Sequence, residues 1–68
     1  MPDHVYKKIE LTGSSTESVD QAIRNAVEKA AETIHNLRWF EVDEIRGHID
    51  NGQVTHFQVT VKVGFTID

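Results

Sequence analysis

Phe57, Val59, Val61, Val63, Phe65 and Ile67 alternate with His56, Gln58, Thr60, Lys62, Gly64 and Thr66. This is the period of a strand with one face on a core and one turned away from it. A shorter alternation sets Val5, Ile9 and Leu11 against His4, Tyr6, Lys8, Glu10 and Thr12, and Gly13-Ser14-Ser15 closes that first strand. Between the two the period changes. Val19, Ala22, Ile23, Ala26, Val27, Ala30, Ala31, Ile34 and Leu37 recur at three- and four-residue steps, which predicts one amphipathic helix from Val19 to Leu37, about five turns long. Ser15 and Ser18 both qualify as its N-cap, Ser18 with Gln21 three residues on, and the sequence does not choose between them. Alanines at 22, 26, 30 and 31 allow the helix to lie close to a sheet.

The segment Leu37-Arg38-Trp39-Phe40-Glu41-Val42-Asp43-Glu44-Ile45-Arg46-Gly47 breaks its alternation in mid-strand. Phe40 and Val42 sit at even positions, Ile45 and Ile49 at odd ones, and one extra residue near Asp43-Glu44 reconciles them as a β-bulge. Phe40, Val42, Ile45 and Ile49 then point to the core, and Trp39, Glu41, Arg46 and His48 point the other way. Asp50-Asn51-Gly52 joins this strand to the last one. A two-residue Asn-Gly turn would pair Ile49 with Val54, whose parity points outward, so a three-residue loop with Gly52 left-handed is expected. That loop pairs Ile49 with Gln53, Ile45 with Phe57, Val42 with Val59, Phe40 with Val61 and Trp39 with Lys62, and leaves Gln58 opposite the bulge. Trp39, Arg46 and Gln58 share the outer face. The expected fold is α+β: β-α-β-β, a three-stranded antiparallel sheet ordered 1-3-2, with one amphipathic helix on one side.

Sixty-eight residues make one domain, expected to span 1–68, with a core small enough to need supplementing. The chain has no cysteine, which removes disulfides and thiolate metal sites and leaves oligomerisation or a bound ligand. A formal charge of -4 without any Lys/Arg-rich run argues against nucleic acid or anionic membrane as partner. No apolar run approaches the ~20 residues of a membrane span, and Met1-Pro2-Asp3-His4 lacks a signal-peptide layout, so a cytoplasmic location is expected. The outer face, expected to hold Tyr6, Trp39 and Val54, suits a subunit contact or a flat anionic ligand.

Val5-Tyr6-Lys7-Lys8-Ile9-Glu10-Leu11, Arg38-Trp39-Phe40-Glu41-Val42, Glu44-Ile45-Arg46-Gly47, Phe57-Gln58-Val59 and Val63-Gly64-Phe65 resemble the dodecins over nearly the whole chain. The resemblance implies a hollow homododecamer that binds flavins in stacked pairs at two-fold axes, each pair between symmetry-related tryptophans. Trp39 matches the stacking tryptophan. Gln58 matches a glutamine that hydrogen-bonds the polar edge of the isoalloxazine ring, a role suited to an amide with one acceptor and two donors. Arg46 matches an arginine associated with the phosphate of FMN, for which a planar fork of donors is suited. Thr66 departs from the pattern, standing where bacterial relatives usually carry arginine. The implied ligand is therefore FMN, with riboflavin or lumichrome as competitors, and coenzyme A is a further ligand implied at three-fold contacts. The implied role is storage and sequestration, with the tryptophan quenching the photoexcited flavin.

Other readings of the same residues are weaker. Trp39 also fits a plain interface anchor, Arg46 an intersubunit ion pair, and Gln58 a solvated polar residue. His4, His35, His48 and His56 invite a metal reading, and His48 and His56 are expected to approach each other diagonally on the outer face, yet no ligand triad appears at short spacing. Asp43-Glu44 lacks a nucleophile or a second partner, and no phosphate-cradling loop or hydrolase elbow is present, so nothing in the sequence argues for an enzyme.

Overall fold

The structure, a computed structural model, describes residues 3–67; Met1 and Pro2, on which the reading of the amino-terminal tetrapeptide partly rests, lie outside the described residues, as does Asp68. Four elements follow in order: β1 (Val5–Ser15), α1 (Val19–Ala31), β2 (Leu37–Asp50) and β3 (Gln53–Ile67). The sheet runs β1-β3-β2 with both neighbouring pairs antiparallel. The α+β order read from the periodicities is the one observed.

Ser18 is the N-cap: its hydroxyl accepts from the Gln21 amide at 3.0 Å. Ser15 instead accepts from the amides of Glu17 and Ser18, which shapes the turn ahead of the helix. The helix is shorter than its apolar period suggests. It spans 13 residues and ends at Ala31, after which the amides of Thr33 and Ile34 both close on the Ala30 carbonyl. Asn36 then takes a left-handed φ of 66°, and its carbonyl accepts from the Thr66 amide at 3.2 Å. Ile34 and Leu37 still pack against the core, but from the loop and the start of β2. Periodicity records which way a side chain faces, and a loop that feeds two apolar residues to the foot of the core satisfies it as a helix would.

The bulge near Asp43-Glu44 is present, with Asp43 unpaired between Val42↔Val61 and Glu44↔Thr60. The register differs from the expected one. The turn is the two-residue Asn51-Gly52, with φ of 53° and 74°, the left-handed pair that an Asn-Gly turn supplies. Ile49 pairs with Val54, and a second bulge at Thr55 returns Val54 to the helix side, away from the outer face where Tyr6 and Trp39 lie. Ile49 shifts by one residue and the pairs beyond the second bulge by two: Ile45 faces Val59, Val42 faces Val61, Phe40 faces Val63 and Trp39 faces Gly64, while Gln58 faces Arg46 and not the bulge. A slip of two preserves the faces, which is why hydrophobic parity could not detect it.

Ala22, Ala26 and Ala30 bury against Val59, Val61 and Val63, with Ile9, Leu11, Val19, Ile23 and Val27 around them. The helix reaches this depth because Gly13 lies under it: a Cβ there would stand 2.8 Å from the Ala26 Cβ and closer still to the Ala22 carbonyl oxygen. The helix covers β1 and β3 and barely touches β2. Phe40, Val42, Ile45 and Ile49, expected in the core, are 50%, 42%, 58% and 67% exposed. One helix of this length spans only two strands, so the edge strand keeps an apolar face without a cover from its own chain.

Candidate functional site

The outer face of the sheet is built from alternate residues of all three strands. At one end Trp39 lies opposite Gly64, and a Cβ on Gly64 would clash with Cδ2, Cε2 and Cζ2 of the indole ring. The ring therefore folds over the central strand, held in place by the missing side chain. Tyr6 meets it from β1 at a centroid distance of 5.1 Å and 68°, an edge contact favourable for two aromatic quadrupoles. Trp39 stays 38% exposed, a large apolar ring beside Tyr6 on a face that carries charged and polar side chains further along.

Next along the strands lies a set of ion pairs. Lys8 reaches across the central strand to Glu41 at 2.7 Å, and Lys62 contacts Asp43 at 2.6 Å and Glu10 at 3.9 Å. The hydrogen bond and charge of Lys8 hold the Glu41 carboxyl below its ordinary value, and Trp39 and Lys62 add to this. The hydrogen bond and charge of Asp43 likewise push the Lys62 ammonium above its ordinary value. The bulge turns the Asp43 carboxylate toward Lys62, while Glu44 sits 3.9 Å from Arg46. The two adjacent carboxylates thus serve separate cations and do not converge on one point.

At the far end Arg46 and Gln58 are direct cross-strand partners, and the Arg46 Nε–H donates to Gln58 Oε1 at 2.8 Å. His48 and His56 form the next outward pair, with ring centroids 6.1 Å apart. Among the described residues no group of three His, Asp or Glu side chains is placed to hold a metal ion.

The three residues singled out in the sequence therefore share a face but not a point. Arg46 and Gln58 touch. Trp39 lies six β3 positions from Gln58, about 20 Å along the strand, further than three fused six-membered rings can bridge. Sequence reasoning missed two contributors. Gly64 was legible in principle, since a glycine inside a regular strand marks a close approach, but the slipped register put Lys62 opposite the tryptophan. The Tyr6–Trp39 contact had no signal beyond shared parity.

A small β-α-β-β sheet with an uncovered edge strand, a bare aromatic on the outer face and no helix long and apolar enough to cross a membrane among the described residues defines a binding or assembly module. The dodecin family model matches residues 5–68, and the chain belongs to the dodecin family. It is 47% identical over 64 residues to the dodecin of Thermus thermophilus, covering 94% of this chain and 93% of that one. The solved dodecin from Streptomyces davaonensis is 52% identical, with a TM-score of 0.92 and 98% of both chains covered. A more distant solved relative, the calcium-chelating antigen calcium dodecin from Mycobacterium tuberculosis, is 29% identical, with a TM-score of 0.80 and 94% of this chain and 91% of that one covered.

Proposed function

We propose that this chain is a flavin-binding storage and sequestration protein, one domain over residues 1–68, that stacks paired FMN or riboflavin between subunits of a hollow homododecamer. The observation that carries the reading is the half-exposed Trp39 ring, held on the outer face over Gly64 in a dodecin-family sheet. An indole presented in this way stacks on a planar heterocycle, a contact worth on the order of 1–3 kcal/mol per ring by analogy with nucleobases. Gln58 reads the polar edge of the isoalloxazine and Arg46 stands beside it.

The spacing of these residues supports a shared site. With Trp39 and Gln58 about 20 Å apart along the strand, one ring meets both only when one copy supplies the tryptophan and another the glutamine. The uncovered helix-side face of β2 supplies a reason to assemble. Sequestration follows from the chemistry: the electron-rich indole donates an electron to the photoexcited ring, which is returned as the pair relaxes, and no substrate turns over. The protein acts in the cytoplasm, with itself and the flavin as partners and neither nucleic acid nor membrane among them. Lumichrome, the ring without its side chain, fits the same stack, and coenzyme A at three-fold contacts is a further ligand of the assembly.

The alternative is an assembly protein whose outer face is only a subunit interface. Titrating ligand-stripped protein with FMN, with flavin emission and particle mass read on the same sample, separates the two. Deep quenching that saturates near one flavin per chain on a dodecamer is expected, with W39A keeping the mass and losing at least about tenfold in affinity, one stacking contact. Disassembly of W39A, or unchanged emission on an intact wild-type particle, supports the interface reading.

A further inference from the structure

We propose that His48 and His56 form a two-imidazole chelate for a borderline divalent transition ion such as Zn2+, with the Thr55 hydroxyl fixing the ligating nitrogen of His56. The site stands independently of the flavin reading. The two histidines are directly opposed across β2 and β3 near the hairpin turn, with ring centroids 6.1 Å apart and ring planes at 67°. Side chains opposed in this way have Cβ atoms about 4.5–5.5 Å apart, so two imidazoles can close on one atom between them. Two imidazole nitrogens on a tetrahedral zinc, each at about 2.0–2.1 Å, put the ring centroids roughly 5 Å apart. Both side chains are exposed, and rotation about their own torsions closes the difference without moving the sheet.

The second bulge supplies what an arbitrary pair of histidines lacks. Thr55 is the residue it leaves without a cross-strand partner, and the Thr55 hydroxyl donates to the His48 carbonyl oxygen at 3.2 Å while standing 3.1 Å from His56 Nδ1. A hydroxyl has one hydrogen. With that hydrogen on the carbonyl, the contact to the ring is made by an oxygen lone pair, so His56 Nδ1 carries the ring proton and donates it. Nε2, the ring nitrogen further from the backbone, is left with its lone pair for an ion. A ligating histidine ordinarily gives its other ring N–H to a protein acceptor, which fixes both tautomer and ring orientation, and Thr55 is that acceptor here.

The ligand set selects the ion. Neutral imidazoles suit Zn2+, Ni2+ and Cu2+, whereas Ca2+ and Mg2+ take oxygen ligands. The neighbouring Arg46 is itself a cation, so coordinate bonds and not local charge hold the ion. Water fills the remaining positions, which makes this an exchangeable site and not a closed structural one.

The test is equilibrium dialysis of the metal-free protein against Zn2+, and separately against Ca2+, for wild type, H48A, H56A, T55V and T55S, with the particle mass checked for each. His4 and His35 remain in every variant, so any ion they take is a constant background. Wild type is expected to hold one Zn2+ per chain above that background. H48A and H56A are each expected to weaken it by about a hundredfold or more, the loss of an intramolecular second contact. T55V keeps both imidazoles but removes the acceptor, and it is expected to weaken Zn2+ by roughly 10–100-fold, while T55S, which keeps the hydroxyl, binds as wild type. Ca2+ uptake is expected to be the same in all five proteins. Zn2+ binding that either histidine variant leaves unchanged overturns the chelate. Wild-type affinity in T55V overturns the role of the hydroxyl, and Ca2+ uptake lost with the histidines overturns the class of ion.

Discussion

Trp39 shows how one absent side chain can place an exposed aromatic one. The indole occupies space that any Cβ at position 64 would claim, so the pose of the ring depends on Gly64 as much as on the tryptophan. Replacing Gly64 with alanine is expected to cost about 1–3 kcal/mol by overpacking, or to be relieved by swinging the indole off the central strand. Flavin affinity should fall and the tryptophan emission maximum should move. An unchanged emission maximum and an unchanged flavin titration would show that the ring does not rest on that glycine. The aromatic was conspicuous from the sequence because it is the only tryptophan of the chain. Its support was hidden because the identity of a cross-strand neighbour depends on register, and parity leaves register free by multiples of two.

Among the elements, the helix and the hairpin were read with different success. The body of α1 was legible because its alanine stripe has no other use than close packing, and the observed contact with Gly13 supplies the partner for it. Gly13→Ala is expected to lower stability by about 1–3 kcal/mol, because the new methyl meets backbone and the helix must lift off β1. Urea unfolding followed by far-UV circular dichroism measures this, and an unchanged midpoint would mean that the helix adjusts without cost. The hairpin was misread for an informative reason. A two-residue Asn-Gly turn was set aside because it put Val54 on the wrong face, yet the structure keeps the turn and corrects the face with a bulge at Thr55. Local turn chemistry outweighed strict alternation, since an Asn-Gly pair accepts two left-handed residues at little cost and a bulge costs a single unpaired residue.

At the scale of the whole molecule the chain is drawn out, 56 × 20 × 13 Å, because β2 and β3 run well past the helix that covers their other end. The buried hydrophobic side chains among the described residues are alanines and valines, and the larger apolar side chains of β2 stay in solvent. Such a chain is expected to gain much of its stability from other copies. Ile45, 58% exposed on the helix-side face, tests this. I45E exchanges an apolar contact worth about 1.5–3 kcal/mol per copy for a charge that cannot be buried unpaired. The particle mass should fall to small species that retain the circular dichroism of the sheet. An I45E particle of wild-type mass would show that this face is not where copies meet.

The sequence by itself determined the kinds of element, their order and the strand faces apart from that of Val54, because periods of 2 and 3.6 are properties of the backbone alone and only the bulge at Thr55 escaped them. Recognisable segments extended this to a family and to Trp39, Gln58 and Arg46. The tertiary structure decided the rest. It showed that the apolar face of β2 is left bare, since coverage depends on where a helix of fixed length comes to rest. It set the register, and with it the tryptophan on Gly64 and the guanidinium on the glutamine, because a strand pairs to suit its turn and bulges as well as its pattern. It also separated Trp39 from Gln58 by about 20 Å along one sheet, since strand positions convert to distance only once the partner of each residue is known.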